Sequence, residues 1–153
     1  MPSVAIEIKK TCPAAKIPEC GTAGSAGYDL HALLDESGST GVMTIIEPHQ
    51  TSLIGTGIKI AIPEGYCGLV FARSGLASKR GLRPANCVGV IDSDYRGEIL
   101  VALHNDTDNP QSIQNGERIA QLVVTPCLNV TFKEVDKLSN TDRGTGGFGS
   151  TGN

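Results

Sequence analysis

Ile58-Lys59-Ile60-Ala61-Ile62-Pro63-Glu64-Gly65 is the stretch whose reading decides the fold class. Its isoleucines alternate with a lysine and an alanine at period two, the spacing that sends successive side chains to opposite faces of a strand. Pro63-Glu64-Gly65 then ends the strand with turn-forming residues. The same alternation recurs on both sides of this segment, as Ile6/Ile8, as Ile99/Val101/Leu103 and as Val130/Phe132. Turn-rich stretches at residues 36–41, 105–109 and 114–116 fall between these runs. Many short strands separated by regular turn signals predict an all-β domain: an antiparallel sandwich, jelly roll or barrel. One short helical turn is expected over residues 74–80, with Ser74 placed to cap it and Gly81 to terminate it.

The chain has 153 residues, enough for one domain with a core that needs neither disulfides nor a structural metal. A formal net charge of −3 leaves no basic stripe to displace counterions, so neither a nucleic acid nor an anionic membrane is an expected partner. Phosphate binding must then come from a few placed arginines and backbone amides. The 5 cysteines are odd in number and scattered, without a C-x-x-C pair, which suits free thiols in a reducing compartment. Residues 1–10 lack the apolar stretch of a signal peptide, and no run reaches membrane-spanning length. The expectation is a cytoplasmic location. A zinc site is not expected, because His31, His49 and His104 are isolated.

Residues 140–153 differ in kind from the rest and are expected to form a mobile tail beyond a domain spanning 1–139. Within them lies Arg143-Gly144-Thr145-Gly146-Gly147-Phe148-Gly149-Ser150-Thr151-Gly152. Gly144, Gly146 and Gly149 satisfy G-x-G-x-x-G, but that fingerprint needs a strand before it and a helix after it. A Walker A loop fails too, because Ser150 stands where its lysine should be. The physics survives both failures. Glycines let backbone N–H groups converge on phosphate oxygens, Arg143 adds a bidentate cation, and Ser150 and Thr151 add hydroxyl donors. Phe148 is placed to stack on a base. A plain Gly/Ser linker is the competing reading, but a linker needs neither the Arg nor the Phe.

Four further segments carry candidate chemistry. Residues 89–100, Gly89-Val90-Ile91-Asp92-Ser93-Asp94-Tyr95-Arg96-Gly97-Glu98-Ile99-Leu100, read as a hairpin with Asp92-Ser93-Asp94 at its turn. Its aspartates either cap the turn or hold a water against a phosphoryl group. In Ala72-Arg73-Ser74-Gly75-Leu76 a strand enters the helical turn, whose free N–H groups suit an anion; an ordinary cap with a surface arginine reads equally well. Gly24-Ser25-Ala26-Gly27-Tyr28-Asp29-Leu30 leads into a strand with an aspartate able to serve a metal, although most aspartates so placed do not. In Gly116-Glu117-Arg118-Ile119-Ala120-Gln121-Leu122, Gln121 is polar within an apolar strand, while Glu117 and Arg118 read as ion-pair formers.

Taken together and in this order, from Ala26 to Gly152, these segments resemble the trimeric deoxyuridine triphosphate nucleotidohydrolases, the dUTPases. The resemblance implies a β jelly-roll subunit with one short helix, and a homotrimer whose active sites are shared between chains. It implies hydrolysis of dUTP to dUMP and diphosphate with Mg²⁺, supplying dUMP for thymidylate synthesis and keeping uracil out of DNA. By the same resemblance Asp92 positions the attacking water and Tyr95 lies against the deoxyribose. Uracil pairs with the backbone of 89–100, including Val90, Ile91 and Leu100, helped by Asn86. Arg73, Ser74, Gly75 and Gln121 hold phosphates, and Asp29 reaches the metal only through water. Arg143, Phe148, Gly149, Ser150 and Thr151 close over the nucleotide, with Phe148 on the base. A related deoxycytidine triphosphate deaminase would need a spare carboxylate facing the base, and none stands out. A catalytically silent relative would show losses at Asp92, Tyr95 or the tail, and all are present.

Overall fold

The computed structural model describes residues 4–147. Among these residues, twelve strands and one helix follow one another. They are β1 (Glu7–Lys10), β2 (Glu19–Cys20), β3 (Tyr28–His31), β4 (Met43–Ile46), β5 (Thr51–Gly55), β6 (Ile58–Ala61) and β7 (Tyr66–Phe71). After α1 (Ser74–Arg80) come β8 (Leu82–Pro84), β9 (Gly89–Ile91), β10 (Leu100–Asn105), β11 (Gln111–Gln114) and β12 (Arg118–Pro126). All pairings are antiparallel, with β2-β3-β12-β7-β9 forming the largest sheet. Opposing ladders are β5-β10-β8, β4-β11 and β1-β6. Neighbours in space are distant in sequence, which is the crossed connectivity of a jelly roll and not that of a meander. The all-β expectation, with its single short helix, is met.

The decisive stretch behaves as its alternation requires. Ile58, Ile60 and Ile62 face inward and are buried, while Lys59 and Ala61 lie on the outer side. Val101 and Leu103 of β10 do the same, and Leu30, Ile46, Ile113 and Ile119 complete a core with no exposed side chain. Two polar residues enter it. Thr56 donates to the carbonyl of Ile99 at 2.7 Å, and Asn105 makes four hydrogen bonds, so neither carries an unmet polar group inward.

Three local expectations are corrected. Arg73, not Ser74, takes the helix N-cap position, with no side-chain cap bond; Ser74 is the first helical residue. Gly81 does end the helix, at φ +63° in the left-handed region, as a C-terminal glycine should. The segment 89–100 is not a hairpin: β9 pairs with β7, whereas β10 pairs with β5 and β8. Residues 92–98 therefore form an arch between two sheets. Hydrophobic alternation shows that two runs are strands but not which neighbours they pair with, and here tertiary contacts decide. Val130 and Phe132 belong to no strand, because β12 ends at Pro126 and residues 127–147 pair with none of the described strands. Leu128, Val130, Phe132 and Leu138 stand exposed along this arm, Phe132 at 93%.

Candidate functional site

Two concavities hold the sequence-derived candidates. The first is a cleft of about 210 Å³ at the mouth between the sheets. Asn86, Val90, Ile91, Asp92, Tyr95 and Leu100 all line it. The second is a broader, shallow groove that collects Asp29, Arg73, Ser74, Gly75 and Gln121. Every candidate within the described residues except Arg143 thus falls into one of two groups.

The cleft is built by the arch and by the turn before β9. Cys87 takes φ +61°, an uncommon left-handed conformation for a non-glycine residue, and so reverses the chain between Asn86 and β9. Gly89 then passes close to the folded-back side chain, since a Cβ there would sit 3.1 Å from Asn86 Nδ2 and 3.2 Å from Val70 Cβ. Beyond β9, the amide of Tyr95 donates to the Asp92 carbonyl at 3.2 Å, closing a turn that leaves Asp92 exposed. The Arg96 guanidinium donates to the carbonyls of Ser93 at 2.7 Å and Tyr95 at 2.9 Å, fastening the arch to itself. At its far end, the Tyr95 hydroxyl donates to the Glu98 carbonyl at 2.9 Å. The cleft is smaller than the ~300–1,000 Å³ usual for a pocket that buries a whole ligand. Its size and apolar walls suit a base and sugar without the phosphates.

The groove lies on the outer face of the five-stranded sheet. Register places Asp29 of β3, Gln121 of β12 and Phe71 of β7 side by side across three strands. Gln121 reaches over to donate to the Ala72 carbonyl at 2.8 Å. Gly27 makes room for it, because any Cβ there would overlap the Gln121 carboxamide. Both Asp29 oxygens are engaged: Oδ1 accepts from Arg73 Nε at 2.8 Å and Oδ2 from Arg118 Nη1 at 3.1 Å. Open space stands above Gly75. Arg118 and Lys79, which sequence reading did not select for binding, also line the groove. Arg118 was legible only as an ion-pair former, which it also is; what makes it part of the groove is its register opposite His31 beside Asp29. Glu117 pairs with Arg80 at 2.6 Å, as its sequence context suggested.

Val70 lines the cleft and Phe71, the next residue of β7, lines the groove. Consecutive strand residues point to opposite faces. The five-stranded sheet therefore stands between the two half-sites of one chain. Arg143 lies in neither; its Nε donates to the Gly146 carbonyl at 2.8 Å. Phe148, Gly149, Ser150 and Thr151 lie outside the described residues.

Among the described residues, no group of three or more His, Cys, Asp or Glu side chains is arranged to hold a metal. A divalent cation here would need most of its ligands from elsewhere. Asp29, a carboxylate set between the Arg73 and Arg118 guanidiniums, fits a cation carried in by phosphate oxygens and water, in keeping with Mg²⁺, which keeps much of its hydration. No helix among the described residues is long and apolar enough to cross a membrane.

Known proteins resemble this chain in sequence and in fold. The family model described as dUTPase matches residues 14–152. The chain is 52% identical over 140 residues to the deoxyuridine 5'-triphosphate nucleotidohydrolase of Desulfitobacterium hafniense (strain DSM 10664 / DCB-2), covering 91% of this chain and 89% of that one. It is 46% identical over 145 residues to the like-named protein of Hydrogenobaculum sp. (strain Y04AAS1), covering 95% and 96% respectively. Among solved structures, the dUTPase of Staphylococcus bacteriophage 80alpha with dUPNHPP superposes with a TM-score of 0.85 at 30% identity, over 98% of this chain and 99% of that one.

Proposed function

As a member of the dUTPase family this chain is a dUTP-hydrolysing enzyme, and we propose that it cleaves between the α and β phosphates, releasing dUMP and diphosphate, at sites shared between the chains of a homotrimer. The observation that carries the shared site is the separation of a nucleoside-sized cleft from a cationic groove by the sheet itself. One nucleotide needs both halves, so the cleft of one chain must face the groove of another. The exposed apolar arm 127–147, with Phe132 and Leu138 in water, supports packing against a neighbouring chain.

In the cleft, Val90, Ile91 and Leu100 contribute backbone groups to uracil and Asn86 its carboxamide. Cytosine would leave a buried donor or acceptor unpaired, at about 1–3 kcal/mol. Tyr95 lies against the deoxyribose, where a 2′-hydroxyl would collide. Asp92, exposed at the arch, orients and deprotonates the attacking water. In the groove Arg73, Ser74, Gly75 and Gln121 hold phosphate oxygens. Arg73 leaves Asp29 to do so, which frees Oδ1 of that carboxylate, still held by Arg118 at Oδ2, to order the water around Mg²⁺ without direct ligation. The cation, when bound, supplies charge neutralisation for the triphosphate. Residues 140–153, carrying Arg143, Phe148, Gly149, Ser150 and Thr151, close over a neighbour's nucleotide, with Phe148 on the base. The product would feed thymidylate synthesis while uracil is kept out of DNA. The five cysteines (Cys12, Cys20, Cys67, Cys87 and Cys127) are free, which supports a reducing, cytoplasmic setting.

The test is to incubate the purified protein with dUTP and Mg²⁺, with and without a chelator, and to separate the products. dUMP with diphosphate is expected. Release of dUDP with orthophosphate, or full turnover without a divalent cation, would remove the proposed chemistry.

A further inference from the structure

We infer that Glu98 is a positioning residue that fixes Tyr95, and through it the choice between deoxyribose and ribose. The inference rests on the placement of Tyr95 against the sugar proposed above. Glu98 sits at the end of the arch, half-buried, and its two polar ends face different partners. Its carboxylate Oε1 accepts from the amide of Gly57 at 2.7 Å. Its main-chain carbonyl accepts from the Tyr95 hydroxyl at 2.9 Å. One residue thus ties the wall of the nucleoside cleft to the turn between β5 and β6.

That turn is a firm anchor. Gly57, at φ +69°, directs its amide toward Glu98, and its carbonyl accepts from Thr11 at 2.8 Å. The Gly55 carbonyl accepts from Leu33 at the same length. Gly55 also leaves space for the carboxylate, since a Cβ there would come within 2.8 Å of Glu98 Oε1. Ile99 pins the chain directly after Glu98, donating to Ile58 at 2.9 Å and accepting from the buried Thr56 hydroxyl at 2.7 Å. Ile99 fixes where the arch ends. The Glu98 carboxylate fixes the residue itself, and so the direction of the carbonyl that holds the tyrosine. Gly97 completes the arrangement, because any Cβ there would run into the Tyr95 ring, which lies across its backbone.

A charge-assisted hydrogen bond to a backbone amide is about twice as strong as a neutral one, and a carboxamide oxygen preserves its geometry. Glu98→Ala should therefore loosen the tyrosine, whereas Glu98→Gln should keep it. The experiment measures kcat/KM for dUTP and UTP on the full-length protein, with the melting temperature of each variant. The dUTP/UTP ratio should fall ~10-fold or more in Glu98→Ala, of the order expected for a displaced positioning group, and stay within about threefold of the parent in Glu98→Gln. Tyr95→Phe removes only the donor to the Glu98 carbonyl, so its ratio should fall as well; where Glu98→Ala does not fold, Glu98→Asp, whose shorter side chain withdraws the carboxylate from the Gly57 amide, carries the test and should lower the ratio too. A lower melting temperature with an unchanged ratio in Glu98→Ala, an unchanged ratio in Tyr95→Phe, or equal losses in the alanine and glutamine variants each overturn the inference. Absence of discrimination in the unaltered protein would instead remove the underlying placement of Tyr95.

Discussion

Mixing two inactive chains should restore activity. Asp92 lines the cleft and Arg73 the groove, on opposite sides of one sheet. An Asp92→Asn chain keeps an intact groove, and an Arg73→Ala chain keeps an intact cleft. Arg118 still holds Asp29 at 3.1 Å after Arg73 is lost, so the groove should not collapse. Each variant alone should lose roughly 10²-fold or more, the scale for removing a general base or a transition-state cation. In an equal, randomly assorted mixture, a shared site is intact when its cleft comes from the Arg73→Ala chain and its groove from the Asp92→Asn chain. Each condition holds for half the chains, so about one quarter of sites are whole in a cyclic oligomer. Co-expression in equal amounts under one affinity tag common to both chains, followed by purification and steady-state hydrolysis of dUTP, gives the measurement. Recovery near one quarter of the parent activity is expected, against ~1% or less for either variant alone. A mixture no more active than the mean of its parents would mean that cleft and groove of the same chain serve one nucleotide, and the shared site would be wrong.

Three other outcomes follow from particular residues. Asp92→Asn should lower the single-turnover rate roughly 10²–10⁴-fold, about 2.7–5.4 kcal/mol of barrier, while calorimetry shows little change in binding of a non-hydrolysable analogue; Asp94→Asn should cost much less. Lost binding with an unchanged rate would make Asp92 an anchor instead of a base. Asn105→Ala breaks hydrogen bonds to Ile46 at 3.0 Å, Asn109 at 2.8 Å and Thr107 at 2.8 and 2.9 Å. It also strands a buried carbonyl, so denaturation at fixed protein concentration should show about 3–4 kcal/mol lost; a cost under ~1 kcal/mol would contradict this account. His31 has its pKa lowered, first by burial and then by Lys16, Arg118 and Arg73 against the opposing pull of Asp29. Its unfolded form therefore binds a proton more readily, so its contribution is neutral above pH ~6.5 and destabilising as pH falls below that. His31→Gln should show a smaller loss of melting temperature than the parent between pH 7.5 and 5.5, and parallel curves would exclude the histidine as the cause.

Local order was legible because it depends on neighbours in sequence. Ile58, Ile60 and Ile62 show their buried face by spacing alone, and Gly81 ends α1 because only its backbone takes φ +63° without strain. The candidate residues were legible as a set for a different reason: the chemistry of phosphate and base binding restricts which side chains serve it, and their order along the chain matches a family. What spacing could not convey was partnership. Residues 89–100 look like a hairpin because two alternating runs flank a turn, yet their strands join different sheets. Val130 and Phe132 alternate as a strand does, but a strand forms only where another offers its hydrogen bonds, and none of those described does so.

The sequence by itself therefore determined the all-β class, the position of the helix and a set of candidate residues for nucleotide binding, since each follows from side-chain period, backbone freedom or functional-group chemistry. Only the tertiary structure decided that Asp92 and Arg73 lie on opposite sides of a sheet, that Asp29 is held between two guanidiniums, and that Glu98 links Tyr95 to Gly57. Those relations join residues far apart along the chain, or turn on which face of a strand each one takes. Register and sheet pairing set them, through the packing of the whole domain.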